Sequence, residues 1–247
     1  METTNEAERY FIDQLLPPVQ SYISKIKILN GDVKTNIKRL LGLSTKYDQI
    51  VDFGSGSGWR TLLLAFGLGS KEIIGIDKKI DAVERADREI NSEFLNNMFR
   101  EIAELKEMYE LPNVRKKLSQ ETHSIVGEII SRFQFRPTFR FILGDLTRGV
   151  SIPELPSNYF DLAHSRRCLY QIYCEDPIRP SDVEAAITEM SRVVKPGGLL
   201  AAHEQDRCPG IKEPCFDMKE IFIRQSGLSL LHSSVENEIC VVIARKL

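Results

Sequence analysis

The stretch Ile50-Val51-Asp52-Phe53-Gly54-Ser55-Gly56-Ser57-Gly58-Trp59-Arg60-Thr61-Leu62-Leu63-Leu64-Ala65 restricts this chain more than any other. An apolar run closes on an acid, passes three glycines at alternate positions and enters an apolar, helix-forming segment. That order spells a buried strand, a tight turn and a helix start. Glycine lets the backbone turn sharply and approach a ligand closely, and the first N–H groups of the helix are left available to bind one. A dinucleotide would use such a turn as Gly-x-Gly-x-x-Gly. Counted from Gly54, the third glycine of that fingerprint falls on Trp59. An indole there would spoil close helix–strand packing, so the spacing disfavours NAD.

Length and composition narrow the class. The 247 residues suffice for one well-buried domain, or for a domain with a substantial cap, and 42% hydrophobic with 28% charged residues is ordinary for a soluble globular protein. Basic and acidic side chains number 33 and 35, a net charge of -2, which gives no global electrostatic case for nucleic acid or an anionic membrane. No apolar run approaches the ~18 residues of a spanning helix, and Met1 to Arg9 is polar and acidic, so no signal segment is read and a cytoplasmic location is expected. The cysteines Cys168, Cys174, Cys208, Cys215 and Cys240 are odd in number and lack a C-x-x-C pair. They read as reduced thiols, with no metal site expected.

Further motifs follow the glycine loop in order. Glu72-Ile73-Ile74-Gly75-Ile76-Asp77 is a short buried strand ending on a carboxylate about 20 residues beyond the loop, where nucleotide-binding βαβ units place an acid on ribose hydroxyls. Phe141-Ile142-Leu143-Gly144-Asp145-Leu146 is another strand, ending in Gly-Asp, and Tyr159 to Ala163 a fourth, with an exit loop over 165–175. Ser181-x-x-Glu184 reads as a capping box opening a helix. Lys195-Pro196-Gly197-Gly198 turns that helix into the strand Leu199 to Glu204, then Pro214 to Gly227 reads as a helix before two strands, Leu228 to Val235 and Ile239 to Arg245.

Asp-x-Gly-x-Gly-x-Gly, the strand-end acid, Gly-Asp-Leu, Phe-Asp-Leu-Ala-His-Ser-Arg and Lys-Pro-Gly-Gly together resemble the class I S-adenosylmethionine-dependent methyltransferases of small-molecule type. The resemblance covers 50–247 apart from a helical stretch. It implies an α/β, Rossmann-like, seven-stranded fold: a mostly parallel sheet with a C-terminal antiparallel hairpin, N-terminal helices and a helical insertion after strand two. S-adenosylmethionine is the implied cofactor. The matching positions imply donor contacts from Asp52, Phe53, Gly54, Ser55, Gly56 and Gly58, from Asp77 and Lys78 at the ribose, from Asp145 and Leu146 at the adenine, and from Ser165 and Arg166 at the methionine end.

Two segments lie outside the resemblance. Residues 1–45 are expected to form a helical cap, with Val19, Tyr22, Ile23, Ile26 and Leu29 on one helix and Val33, Ile37, Leu40 and Leu41 on a second; covering the donor and covering a sheet edge both remain open. The domain proper is expected over 46–247. Inside it roughly 60 residues separate Asp77 from Phe139, whereas a parallel crossover needs about a dozen. Val83 to Tyr109 space as one long helix, Pro112 ends it, and Ile125 to Phe133 give another apolar face. This insertion, about 85–137, reads as a solvated face or as a lid or partner surface.

Methyl transfer from a sulfonium is an in-line displacement, so positioning and exclusion of water supply much of the acceleration. A base is needed only if the acceptor must lose a proton. The catalytic residue is unassigned, with His164, His203 and Tyr170 as candidates at strand ends. Arg166 and Arg167 either orient an anionic substrate or pair at the surface. Cys168 and Cys208 sit where arsenite methyltransferases hold two thiols, but residues 77–137 lack the third, so ordinary buried thiols are preferred. The expected function is methyl transfer to an unidentified small molecule, by a monomer or weak dimer. The alternatives are a protein-lysine methyltransferase, which lacks its Asn-Asn-Phe-type acceptor loop here, and a non-catalytic donor-binding subunit.

Overall fold

The computed structural model describes residues 10–20, 47–90, 92–116, 118–132, 136–146, 151–175, 180–205, 217–225, 227–236 and 239–247. The second N-terminal helix expected over 32–41, the boundary at 45/46, Cys208 and Cys215 lie outside them. After a π-helical segment at Tyr10–Leu15, the elements are β1 (Gln49–Phe53), α1 (Trp59–Leu68), β2 (Glu72–Asp77), α2 (Ile80–Ile90), α3 (Glu93–Glu110), α4 (Pro112–Arg115), α5 (Gln120–Arg132), β3 (Thr138–Leu143), β4 (Phe160–Arg166), α6 (Cys168–Glu175), α7 (Pro180–Val193), β5 (Val194–Gln205), α8 (Met218–Arg224), β6 (Leu228–Glu236) and β7 (Ile239–Lys246).

The seven strands form one sheet in the order β3-β2-β1-β4-β5-β7-β6, with β7 antiparallel to both β5 and β6 and the other pairings parallel. This is the expected architecture, including the terminal hairpin. The central strands are apolar at nearly every position because helices cover both faces. Alternation sorts their side chains. Val51, Phe53, Ile74, Ile76, Ala163, Leu200 and Ala202 share a core with Val183, Ala186, Ile187 and Met190 of α7. Ile50, Ile73, Leu162, Leu199 and Ala201 face Leu64, Ala65 and Leu68 of α1. Hence neighbours in sequence at the C-terminal strand ends, such as His164 and Ser165 or His203 and Glu204, belong to opposite faces.

The insertion contains helices as expected but not one long one. Its first helix stops at Ile90 and a second starts at Glu93, with Ser92 in extended conformation (φ -63°, ψ 153°) at the cap. Serine competes with helical hydrogen bonds through its own short polar side chain, and the break at Ser92 interrupts a pattern whose apolar spacing reads straight through. Likewise α7 opens at Pro180, one residue before the expected cap at Ser181, since proline is preorganised for the first helical turn. Residues 168–175, expected as loop, form α6.

The helices of the insertion close a second core. Leu95, Met98, Ile102 and Leu105 of α3, Val126 and Ile129 of α5, and Phe11, Leu15, Leu16 and Val19 of the N-terminal segment pack with Leu62, Leu63 and Phe66 of α1. Phe66 joins the parts, its ring centroid 5.7 Å from that of Phe99 on α3 and 6.4 Å from that of Phe139 on β3. Phe66→Ala is expected to destabilise the protein by about 3–5 kcal/mol, as loss of a buried phenyl ring leaves a cavity that neighbours fill incompletely. Urea unfolding followed by circular dichroism reads this directly.

Candidate active site

The three loop glycines all take left-handed φ: 74° at Gly54, 56° at Gly56 and 79° at Gly58. Gly58 matters for packing: a Cβ there would lie 2.9 Å from Ala86 Cβ on α2 and 3.0 Å from the Phe141 ring. It, rather than position 59, supplies the close helix contact, and Trp59 is left 37% exposed. Gly56 has nothing within 4 Å of a notional Cβ and lines the cavity. The loop is tied to the end of β2 by the Gly54 and Ser55 N–H groups, which donate to Ile76 O at 2.8 and 2.9 Å. The Gly56 N–H donates to Asp77 Oδ2 at 3.0 Å while the Lys79 N–H donates to Oδ1 at 3.0 Å. The carboxylate at the end of β2 is therefore held in one orientation by the glycine loop on one side and by the β2–α2 connection on the other.

At the C-terminal edge of the sheet these parts enclose a cavity of about 350 Å³. Of the donor contacts expected from the sequence, Gly54, Gly56, Asp77, Lys78, Asp145, Leu146 and Arg166 line it. Asp52, Phe53, Ser55, Gly58 and Ser165 do not; they are buried beneath or behind the loop. The lining also includes Arg60, Lys79, Arg167, Cys168 and Gln171, of which Arg167, Cys168 and Gln171 fall in the strand-exit stretch read from the sequence. No described residue of the insertion lines the cavity, so the described insertion braces α1 and provides no lid.

Beneath the loop, on the α1 face, lies a buried polar chain. Thr61 Oγ1 donates to Asp52 Oδ2 at 2.6 Å, and His164 Nδ1 meets Asp52 Oδ1 at 2.8 Å. His203 stacks edge-on against His164, with ring centroids 5.4 Å apart. The parallel register that sets Asp52 beside His164 places these groups together across β1 and β4. Burial lowers the His203 pKa from 6.5 to about 3, assisted by the charges of His164 and Arg166.

A second cluster occupies the opposite face. Ser165 Oγ donates to Glu204 Oε1 at 2.6 Å, and the Tyr170 N–H at the start of α6 donates to Oε2 at 3.1 Å. Burial raises the Glu204 pKa from 4.5 to about 7, against these hydrogen bonds. All three base candidates are buried, His164 at 1%, His203 at 6% and Tyr170 at 8% exposure, and none lines the cavity. The Cys168 thiol is pushed well above its ordinary value, by desolvation first and then by the carboxylates of Glu204, Asp77 and Asp52, so it stays protonated. Cys168 and Cys240 are free thiols, whereas Cys174 is disulfide-bonded, against the expectation of a fully reduced set. No group able to hold a metal exists among the described residues.

A family model described as a methyltransferase domain matches residues 115–202, from the insertion through β5. Over that stretch, about a third of its length, the chain is similar to methyltransferase domains. Similar folds occur in an S-adenosylmethionine-dependent methyltransferase of Aquifex aeolicus (18% identity, TM-score 0.52, 91% of this chain and 98% of that one). Another such methyltransferase, from Mesorhizobium loti, compares at 15% identity and TM-score 0.53 over 87% and 99%. A chain of the Haloferax volcanii complex between the Trm112 methyltransferase activator and a putative methyltransferase compares at 13% and 0.52 over 98% and 97%. At these identities the likeness is one of fold. No curated protein sequence matches the chain.

The two buried clusters oppose each other in their response to pH. Between 4.5 and about 7 the folded protein holds a proton on Glu204 that the unfolded chain has lost, so this group makes stability fall as pH rises. Between about 3 and 6.5 the unfolded chain binds a proton on His203 that the folded protein excludes, so this group makes stability rise with pH. Glu204→Gln leaves the His203 contribution unopposed. Its stability is expected to climb with pH between about 5 and 6.5 and, above pH 7, to exceed that of the parent by on the order of 1–3 kcal/mol. Urea midpoints measured across that range check both signs.

Proposed function

We propose that this chain is an S-adenosylmethionine-dependent methyltransferase that transfers a methyl group to a small-molecule acceptor, with the donor seated in the cavity between the glycine loop and the ends of β2, β3 and β4. The observation that carries the reading is the glycine turn, with Gly56 open to the cavity and its N–H fixing Asp77. A volume of about 350 Å³ lies within the range of small-ligand sites. The residues fit the cofactor: a carboxylate at the end of β2 to accept from ribose hydroxyls, Asp145 and Leu146 just after β3 for the adenine, and Arg166 at the end of β4 for the methionine carboxylate.

When bound, S-adenosylmethionine supplies a methyl group on a positively charged sulfur. The protein's own contribution is positional. Asp77, oriented from both sides, binds; the loop backbone sets the depth at which a ligand rests; Asp52, Thr61 and His164 hold that loop from below without reaching the cavity. Acceleration by alignment and water exclusion needs no proton transfer unless the acceptor carries a proton to lose. A cytoplasmic setting belongs to the same proposal and rests on the sequence alone. Among the described residues no helix is long and apolar enough to cross a membrane.

Calorimetric titration with S-adenosylmethionine and, separately, with NAD tests the reading. The parent protein is expected to bind S-adenosylmethionine and not NAD, and Asp77→Ala to weaken that binding by about 1–3 kcal/mol, the cost of losing a charged hydrogen-bond partner. Preference for NAD, or donor affinity indifferent to Asp77, would refute it.

A further inference from the structure

The cavity is far more positive than the chain that builds it. Five cationic side chains line it, Arg60, Lys78, Lys79, Arg166 and Arg167, against two carboxylates, Asp77 and Asp145, in a protein whose net charge is -2. Asp77 already accepts two backbone N–H groups. The side chains of Arg60, Lys79 and Arg167 make no ion pair or hydrogen bond with any described residue. Positive charge concentrated in a concave site attracts anions and repels cations.

Arg167 adds a conformational argument. It sits in the left-handed region, φ 59°, at the bend between β4 and α6, where its N–H donates to His203 O at 3.0 Å. A residue with a Cβ is strained there and glycine is not. Retaining an arginine at this bend keeps a guanidinium on the cavity wall, and strain of this kind is characteristic of functional positions.

The cofactor does not balance this charge. S-adenosylmethionine carries a sulfonium, an ammonium and a carboxylate, a net charge of about one positive unit, and its carboxylate satisfies one cation at most. Building on the methyl-transfer reading above, we propose that the acceptor is a small anion, bearing a carboxylate or phosphate group, that Arg167 binds together with Arg60 and Lys79. The guanidinium fork of arginine suits either oxyanion by paired hydrogen bonds. An anion bound beside the sulfonium strengthens donor binding, and the donor strengthens anion binding by the same factor. The product S-adenosylhomocysteine lacks the sulfonium charge, so its affinity responds less to the anion. Acceptor charge thus becomes a determinant of specificity, since a neutral analogue leaves the cations uncompensated.

The test measures S-adenosylmethionine and S-adenosylhomocysteine affinity by calorimetry near neutral pH at fixed ionic strength, with sodium chloride, sodium acetate or sodium phosphate as the salt. Acetate or phosphate is expected to tighten S-adenosylmethionine binding about fivefold or more relative to chloride, with a smaller effect on S-adenosylhomocysteine. The more effective anion identifies the acceptor group as carboxylate or phosphate. Arg167→Gly removes the guanidinium while relieving the backbone, so the variant is expected to melt at the same temperature or higher and to lose the anion effect. The inference is overturned if neither anion outperforms chloride, if either competes with S-adenosylmethionine, or if the enhancement survives in both Arg167→Gly and Arg60→Gln. Absence of any S-adenosylmethionine binding is a different result, which removes the methyl-transfer reading and this inference with it.

Discussion

The Asp52 carboxylate, 2% exposed, is the constraint on which the rest of the site depends. Withdrawing such a group from water costs several kcal/mol unless partners replace the lost solvation. Its partners come from two different elements, Thr61 on α1 and His164 on β4. Satisfying one buried acid therefore fixes how the helix leaves the loop and how the fourth strand registers against the first. The glycine turn runs directly above, tied to Ile76 and Asp77 of β2. Three strands and a helix converge on one backbone loop, and the cavity inherits its shape from that convergence.

What could be read in the sequence follows from what physics writes locally. Left-handed backbone writes itself as glycine, so Gly54, Gly56 and Gly58 were visible, and a strand that closes on an acid displays Asp77 and Asp145 without reference to anything distant. The order of strands followed from the order of these motifs. Two-residue alternation was also legible, though its meaning at the strand ends was not: His164-Ser165 and His203-Glu204 each divide between opposite faces of the sheet. Partners 112 residues apart, as Asp52 and His164 are, leave no local mark. For the same reason the sequence did not display the partners of two expected donor contacts, Thr61 and His164 on Asp52 and Glu204 on Ser165.

The insertion shows the limit from the other side. Its apolar spacing gave helices, because periodicity depends only on neighbours within a turn or two. Where the apolar face would dock depends on the exposed surface of α1 and on Phe11, Leu15 and Leu16 near the start of the chain. A lid and a brace have the same amphipathic pattern. The structure separates them by burying Leu95, Met98 and Ile102 against Leu62 and Phe66, on the α1 flank of the sheet. The helix break at Ser92 was hidden for a related reason: a register of hydrophobic residues can continue across a short non-helical joint.

Burial also bears on how protons are handled. A general base must come within hydrogen-bond reach of the proton it takes. His164 and His203 keep their Nε2 atoms buried and without a protein partner, on the face of the sheet beneath the loop. His203, with a pKa near 3, would be neutral at physiological pH but has no route to an acceptor. Glu204, the one buried carboxyl raised toward neutrality, is turned into the start of α6 by Ser165 and the Tyr170 N–H. These groups carry the marks often associated with catalysis, perturbed ionisation and polar clustering, yet structural networks perturb ionisation equally well. Their geometry assigns them to the scaffold. The charged side chains that do line the cavity are chiefly cationic, suited to orienting charge and poorly suited to accepting protons. Methyl transfer in such a cavity favours an acceptor that arrives with its nucleophilic lone pair already available, and leaves the protein the task of alignment.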